Sequence, residues 1–167
     1  MHTNEGPMAD FEARLARLEA INHIRKVVHQ MTLLQDRPYA IETVEHYASD
    51  GVLVSGSFGT FEGRESIREL YRFLPESVTS TLHYKFGSVV DVDASAETAT
   101  ATWVSIETPV VKNQAVIGAV RQESAYKVED GEWRVARYEQ ELLCMAPYED
   151  GWLTGASMAS AWDPTKS

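Results

Sequence analysis

The sequence predicts an α+β domain: N-terminal helices packed on one face of a strongly curved, mostly antiparallel sheet, a cone-shaped α+β barrel enclosing a pocket. Apolar residues in the first third recur every three or four positions, which is the helical period. The second half holds β-branched and aromatic runs with no helical period between them. Turn-like segments separate those runs, as an antiparallel meander requires.

Residues 9–35 place Phe11, Leu15, Leu18, Ile21, Ile24, Val28 and Met31 on one stripe, predicting a long amphipathic helix. Pro38 permits a break. Ile41, Val44 and Tyr47 or Ala48 then predict a second helix ending at "SDG", residues 49–51. "VLVSG" reads as a short strand, "GSFGTFEG" as a tight connection or hairpin, and "RESIRELYRFL" as a helix with Ile67, Leu70, Tyr71 and Leu74 inward, closed by Pro75. "LHYKFGSVVDV", "TATATWVSIET", "AVIGAVRQESAYKV" and "EWRVARYEQELL" are the four strands of the meander, the last two joined at "EDGE", residues 129–132. The expected organisation is a flexible segment at 1–8, one domain at 9–147, and a tail at 148–167 acting as a lid or subunit contact.

A chain of 167 residues can bury roughly two-thirds of its unfolded surface without metals or disulfides. Its 25 acidic and 15 basic residues give a formal charge of −10, which opposes the counterion release that drives nucleic-acid binding. No apolar run approaches the roughly 18 residues that a membrane span needs. The single cysteine, Cys144, cannot form an intramolecular bridge, and "MHTNEGPMAD" lacks a basic segment followed by an apolar one. The expected location is cytoplasmic, with neither nucleic acid nor membrane as partner.

Most motif readings fail on spacing. "GSFGTFEG" lacks both GxGxxG and a following Lys-Ser/Thr, so its glycines read as turn residues. Glu42 and His46 stand four apart without a second ligand pair, and no GxSxG elbow accompanies Cys144. What remains is "STLHYKFGSVVDVD", in which alternation sends Leu82, Tyr84 and Phe86 to one face and Thr81, His83 and Lys85 to the other. A titratable imidazole inside a strand needs a partner or a packing role. Asp36, at the end of the first helix, fits either a partner for His83 or a helix cap.

Four stretches in order, "HIRKVVHQMTLLQD", "SDGVLVSGSFGTFEG", "STLHYKFGSVV" and "AYKVEDGEWRVARY", resemble the SnoaL-like branch of the nuclear transport factor 2-like superfamily. Within it they resemble the cofactor-free dehydratases and dehydrohalogenases, such as scytalone dehydratase, bile acid 7α-dehydratase and hexachlorocyclohexane dehydrochlorinase. The resemblance implies that Asp36 and His83 form a catalytic pair. It also marks two departures: Met31 stands where the dehydrochlorinase has a first-helix lysine, and Tyr138 stands near its last-strand arginine.

The implied chemistry is general-base catalysis without a cofactor or metal. Asp36 would hold one ring N–H of His83, leaving the other nitrogen to take a proton from a small apolar or aromatic substrate. Loss of water, or of another small leaving group such as an aldehyde, would make the protein a lyase. An isomerase or cyclase would use the same base, and a non-catalytic binding or assembly domain would use the pocket alone. Tyr47, Tyr84, Trp103, Arg121, Tyr138 and Met31 are the expected substrate-binding residues. Self-association is expected, as a homotrimer or else a dimer, because the outer sheet face needs a cover.

Overall fold

The computed structural model describes residues 5–37, 39–56 and 58–149. Helix α1 runs Glu5–Gln35, a 31-residue rod of about 46 Å. Its apolar stripe divides into two parts. Ala20, Ile24, Val28 and Met31 are buried, whereas Phe11, Leu15 and Leu18 stay exposed, Leu18 at 64%. The helix outruns the sheet it covers, so the same periodicity is core at one end and open surface at the other.

The expected second helix is a short 3-10 helix, Ile41–His46, with strand β1 (Tyr47–Ser55) starting directly after it. Ile41, Val44 and Tyr47 step by three, a spacing a 3-10 turn satisfies as well as an α-helix does. "SDG" therefore lies inside β1, in a bulge where the register shifts between Tyr47 and Val52. Side chains from neighbouring elements secure the bulge. Glu129 accepts from the Ser49 backbone N–H at 2.9 Å and from its hydroxyl at 3.1 Å, and Arg64 donates to the Tyr47 carbonyl at 2.6 Å. Gly51 is required there, since a Cβ would lie 3.0 Å from the carbonyl oxygens of both Ala48 and Val135.

Strand β2 (Gly59–Glu62) pairs antiparallel with β1, and helix α2 follows at Arg64–Ser77. Pro75 lies in the last turn of α2 rather than beyond it. Ile67, Leu70, Tyr71 and Leu74 are the buried face of α2, as their spacing predicts, each worth about 1.5–3 kcal/mol of burial. A short pair, β3 (Val78–Ser80) with β6 (Val110–Val111), had no sequence signal long enough to notice.

The meander consists of β4 (His83–Val92), β5 (Thr98–Glu107), β7 (Gln114–Glu129) and β8 (Glu132–Pro147). Its pairings are antiparallel. The β7–β8 hairpin turns through Asp130 and Gly131, both at positive φ, the geometry that favours Asp-Gly. Strand β1 then joins β8 in parallel, giving the order β2-β1-β8-β7-β5-β4. The sheet is mixed, curved and open, with β4 at one edge.

α1 and α2 close over the concave face, where Trp103, Tyr126, Val135 and Tyr138 join the helical core. The outer face of β4 and β5 carries Tyr84, Phe86, Val89 and Ile106 in the open, with Tyr84 56% exposed. Helix α1 already includes Glu5, and β8 ends at Pro147. The expected tail lies outside the described residues beyond Glu149.

Candidate active site

Alternation in β4 decides which side chains reach the concave face. His83 is buried and Lys85 is half-buried on that face, while Tyr84 and Phe86 point outward. The chain leaves α1 at Asp36, whose own N–H still donates to the Thr32 carbonyl at 3.0 Å, so its carboxylate is placed by the helix. Asp36 Oδ1 accepts two hydrogen bonds from one residue: 3.0 Å from the His83 backbone N–H and 2.7 Å from His83 Nδ1. Because β4 is an edge strand, that backbone N–H has no further strand to meet, and Asp36 satisfies it.

The other ring nitrogen faces a second carboxylate. His83 and Glu107 are cross-strand neighbours on β4 and β5, and Nε2 lies 3.9 Å from Glu107 Oε2. Glu107 is itself held from behind. Ser105 donates its hydroxyl to Glu107 Oε1 at 2.9 Å, and Gln122 Nε2 approaches the Ser105 hydroxyl at 3.4 Å and Glu107 Oε1 at 3.5 Å. Gln122 is wholly buried, and its Oε1 has no hydrogen-bond partner among the described residues.

Tyrosines surround this polar row. Tyr39, at φ +54°, lies edge-on to both His83 and Tyr71, with centroids 6.1 and 6.0 Å apart. Tyr47 and Tyr138 meet edge-on at 6.5 Å. Burial raises Tyr39, Tyr47 and Tyr138 above the ordinary phenol value and pushes Tyr71 and Tyr126 up to about 12. These phenols stay neutral near physiological pH and keep their O–H protons for donation.

Lys85 brings a cation to the concave face. Its Nζ stands 5.6 Å from the centre of the Tyr138 ring. It enters no hydrogen bond or ion pair among the described residues. Burial lowers its pKa to about 8, while the charges of Glu107 and Asp36 act in the opposite direction. Among the described residues no group of three or more His, Cys, Asp or Glu side chains is arranged to hold a metal ion.

The expected site residues divide by face. His83 and Asp36 meet, and Met31, Tyr47, Trp103 and Tyr138 are buried within the same core as the helices. Tyr84 and Arg121 are corrected: strand alternation sends both outward, and Arg121 pairs there with Glu141 at 2.7 Å. The last strand resolves similarly, since Tyr138 is buried while Arg137 is exposed and bonded to Glu139. Lys85 was missed although it shares the alternation of His83. Tyr39 was missed because its position depends on the turn after α1, and Glu107 because only strand pairing brings it to His83.

The model of the SnoaL-like domain matches residues 16–139, so the chain belongs to the SnoaL-like family, within the nuclear transport factor 2-like superfamily. It is similar in structure to hexachlorocyclohexane dehydrochlorinase LinA-type3 from Novosphingobium barchaimii, with 18% identity and TM-score 0.73 over 80% of this chain and 93% of that one. A scytalone dehydratase-like protein from Novosphingobium aromaticivorans has 15% identity and TM-score 0.72, with 80% and 90% covered. A nuclear transport factor 2-like protein with a cystatin-like fold from the same organism has 26% identity and TM-score 0.67, with 81% and 89% covered. No curated protein matches the chain in sequence. At such identities the first two likenesses concern the fold. No helix among the described residues is long and apolar enough to cross a membrane.

The lowered value of Lys85 has a consequence for stability. Between about 8 and 10.5 the unfolded chain holds a proton that the folded chain has released. Lysine therefore costs stability in full below about pH 8, and the cost fades above it. Urea denaturation should find Lys85→Met more stable than the unaltered protein near neutral pH, with the gap narrowing as pH rises through that window. A gap independent of pH, or of opposite sign, would contradict this placement of the amine.

Proposed function

We propose that this chain is a cofactor-independent lyase of the dehydratase type, in which His83 is the general base. The observation that carries the reading is the 2.7 Å contact between His83 Nδ1 and Asp36. A neutral ring that donates Nδ1–H to a carboxylate keeps the lone pair on Nε2, the nitrogen on the Glu107 side. Asp36 orients the ring and stabilises the imidazolium formed when a substrate C–H proton is taken. Glu107 adds a second negative charge near the new N–H.

For a β-hydroxy carbonyl substrate the step balances as follows. Nε2 takes the α-proton, the C–H pair becomes the carbon–carbon double bond of an enolate, and the enolate expels the β-hydroxyl. The imidazolium returns its proton to that hydroxyl, which leaves as water. Loss of a small aldehyde would instead break a carbon–carbon bond with the same base. The neighbours described as a dehydrochlorinase and as scytalone dehydratase-like support an elimination, and the aromatic walls suit a small apolar or aromatic substrate.

The outer face of β4 and β5, with Tyr84, Phe86, Val89 and Ile106 in the open, is the surface assigned to further copies of the chain. A trimer is the expected assembly, with a dimer as the alternative. Sedimentation equilibrium should give a multiple of the 18.7 kDa chain mass, and Phe86→Asp should lower it. A monomer at all concentrations would oppose the assignment.

Activity is tested on a panel of β-hydroxy ketones and aryl alcohols. His83→Gln should lower kcat/KM by about 10²- to 10⁴-fold. Asp36→Asn should also lower it while leaving the fold intact, because an amide oxygen still accepts the His83 backbone N–H. A product lighter by one water marks elimination, whereas a product of unchanged mass marks an isomerase or cyclase. Turnover unaffected by His83→Gln would remove the base and favour a binding domain.

A further inference from the structure

On the concave face, two alternate residues of β4 stand beside two alternate residues of β5. His83 is paired with Glu107, and Lys85 with Ser105. Alternate residues of a strand lie about 6.6 Å apart on one face. Proton-accepting nitrogen and ammonium are therefore side by side in a fixed order along the strand. Ser105 and Glu107 are hydrogen-bonded to each other, and His83 to Asp36, but Lys85 is not bonded to any of them. Its Nζ lies beside the Tyr138 ring, which is buried against Tyr47.

We propose that Lys85 is the oxyanion-binding group of this site, selecting substrates whose acidic C–H is adjacent to a carbonyl, with the carbonyl oxygen at the ammonium and the C–H at His83. The inference rests on the reading of His83 as base and adds a substrate class to it. When the α-proton leaves, negative charge accumulates on the carbonyl oxygen. A cation beside an aromatic ring on a half-buried strand face is worth more to that charge than one fully in solvent. The stem of Lys85 comes from the same strand as the base, so both groups shift together if the edge strand moves.

The surrounding charges are compatible with this role. Glu107 and Asp36 are the carboxylates acting on the amine, and Tyr138 beneath it is neutral because burial raises its phenol. Burial lowers the amine to about 8, which still leaves about tenfold more ammonium than free amine one pH unit below that value. An apolar residue at position 85 would remove the burial cost of a charge, so a lysine in this place makes sense for a ligand whose anion meets the amine directly, as neither carboxylate does.

The test uses 4-nitrophenol, an enol mimic whose phenolate absorbs in the visible and which has no leaving group. The full chain, Lys85→Met, Lys85→Arg and His83→Gln are titrated with the probe across the pH range in which it ionises. A nearby opposite charge favours the ionised form by about tenfold or more. The bound probe is therefore expected to have a phenolate-to-phenol ratio about tenfold higher than the free probe has at the same pH. Lys85→Met should lose that excess, Lys85→Arg should keep most of it, and His83→Gln should retain it. A probe that does not bind the full chain, that binds as neutral phenol, or that ionises equally in Lys85→Met would overturn the proposal. Since no turnover is read, these results are independent of whether His83 acts as a base.

Discussion

One carboxylate oxygen joins the helical layer to the edge of the sheet. Asp36 Oδ1 accepts the His83 backbone N–H at 3.0 Å and meets the ring at Nδ1, 2.7 Å away. The backbone bond holds β4 against the end of α1. In the proposed mechanism the ring contact selects which nitrogen carries the proton. An aspartate can do both because an ionised carboxylate only accepts, with enough lone pairs for several donors. A neutral side chain could hold the strand equally well, but it would leave the ring without a charge to stabilise an imidazolium.

Everything else at the site is arranged around that orientation. Tyr39 meets the imidazole edge-on from a left-handed backbone conformation that a tyrosine seldom adopts, and its ring also packs on Tyr71 of α2. Glu107 is placed by β5 and braced by Ser105 and Gln122, all three buried. A row of buried polar groups is costly unless its members bond to one another. Here the hydroxyl and the amide satisfy the carboxylate on the side away from His83. Lys85 adds the opposite charge, on which both carboxylates act without an ion pair, so the concave face carries a mixed rather than a purely acidic field.

Much of this was legible in the sequence where side-chain period decides the matter. The alternation at 81–86 places His83 and Lys85 inward, and the same alternation places Tyr84 outward. The spacing of Ile67, Leu70, Tyr71 and Leu74 identifies the buried face of α2 without any tertiary information. The segment from Ile41 to Gly51 was misread because a step of three does not separate a 3-10 turn from an α-helix. Its true state depends on β8 and Glu129, eighty or more residues away. The parallel β1–β8 pair was illegible for the same reason, since strand period carries no information about partner or direction. Likewise, Glu107 becomes a neighbour of His83 only through the register of β4 on β5. The stripe of α1 was read correctly as helix, but nothing in it showed where the sheet beneath would end.

The central claim is that Asp36 holds His83 in one tautomer with Nε2 free. Nitrogen-15 NMR of the histidine rings, with His83 assigned by His83→Gln and the spectrum repeated in Asp36→Asn, tests it without any substrate. The expected result is a neutral His83 ring protonated at Nδ1 alone in the full chain, with that preference lost when Asp36 becomes an amide. A ring that populates both tautomers in the full chain, or that is unchanged by Asp36→Asn, would contradict the account.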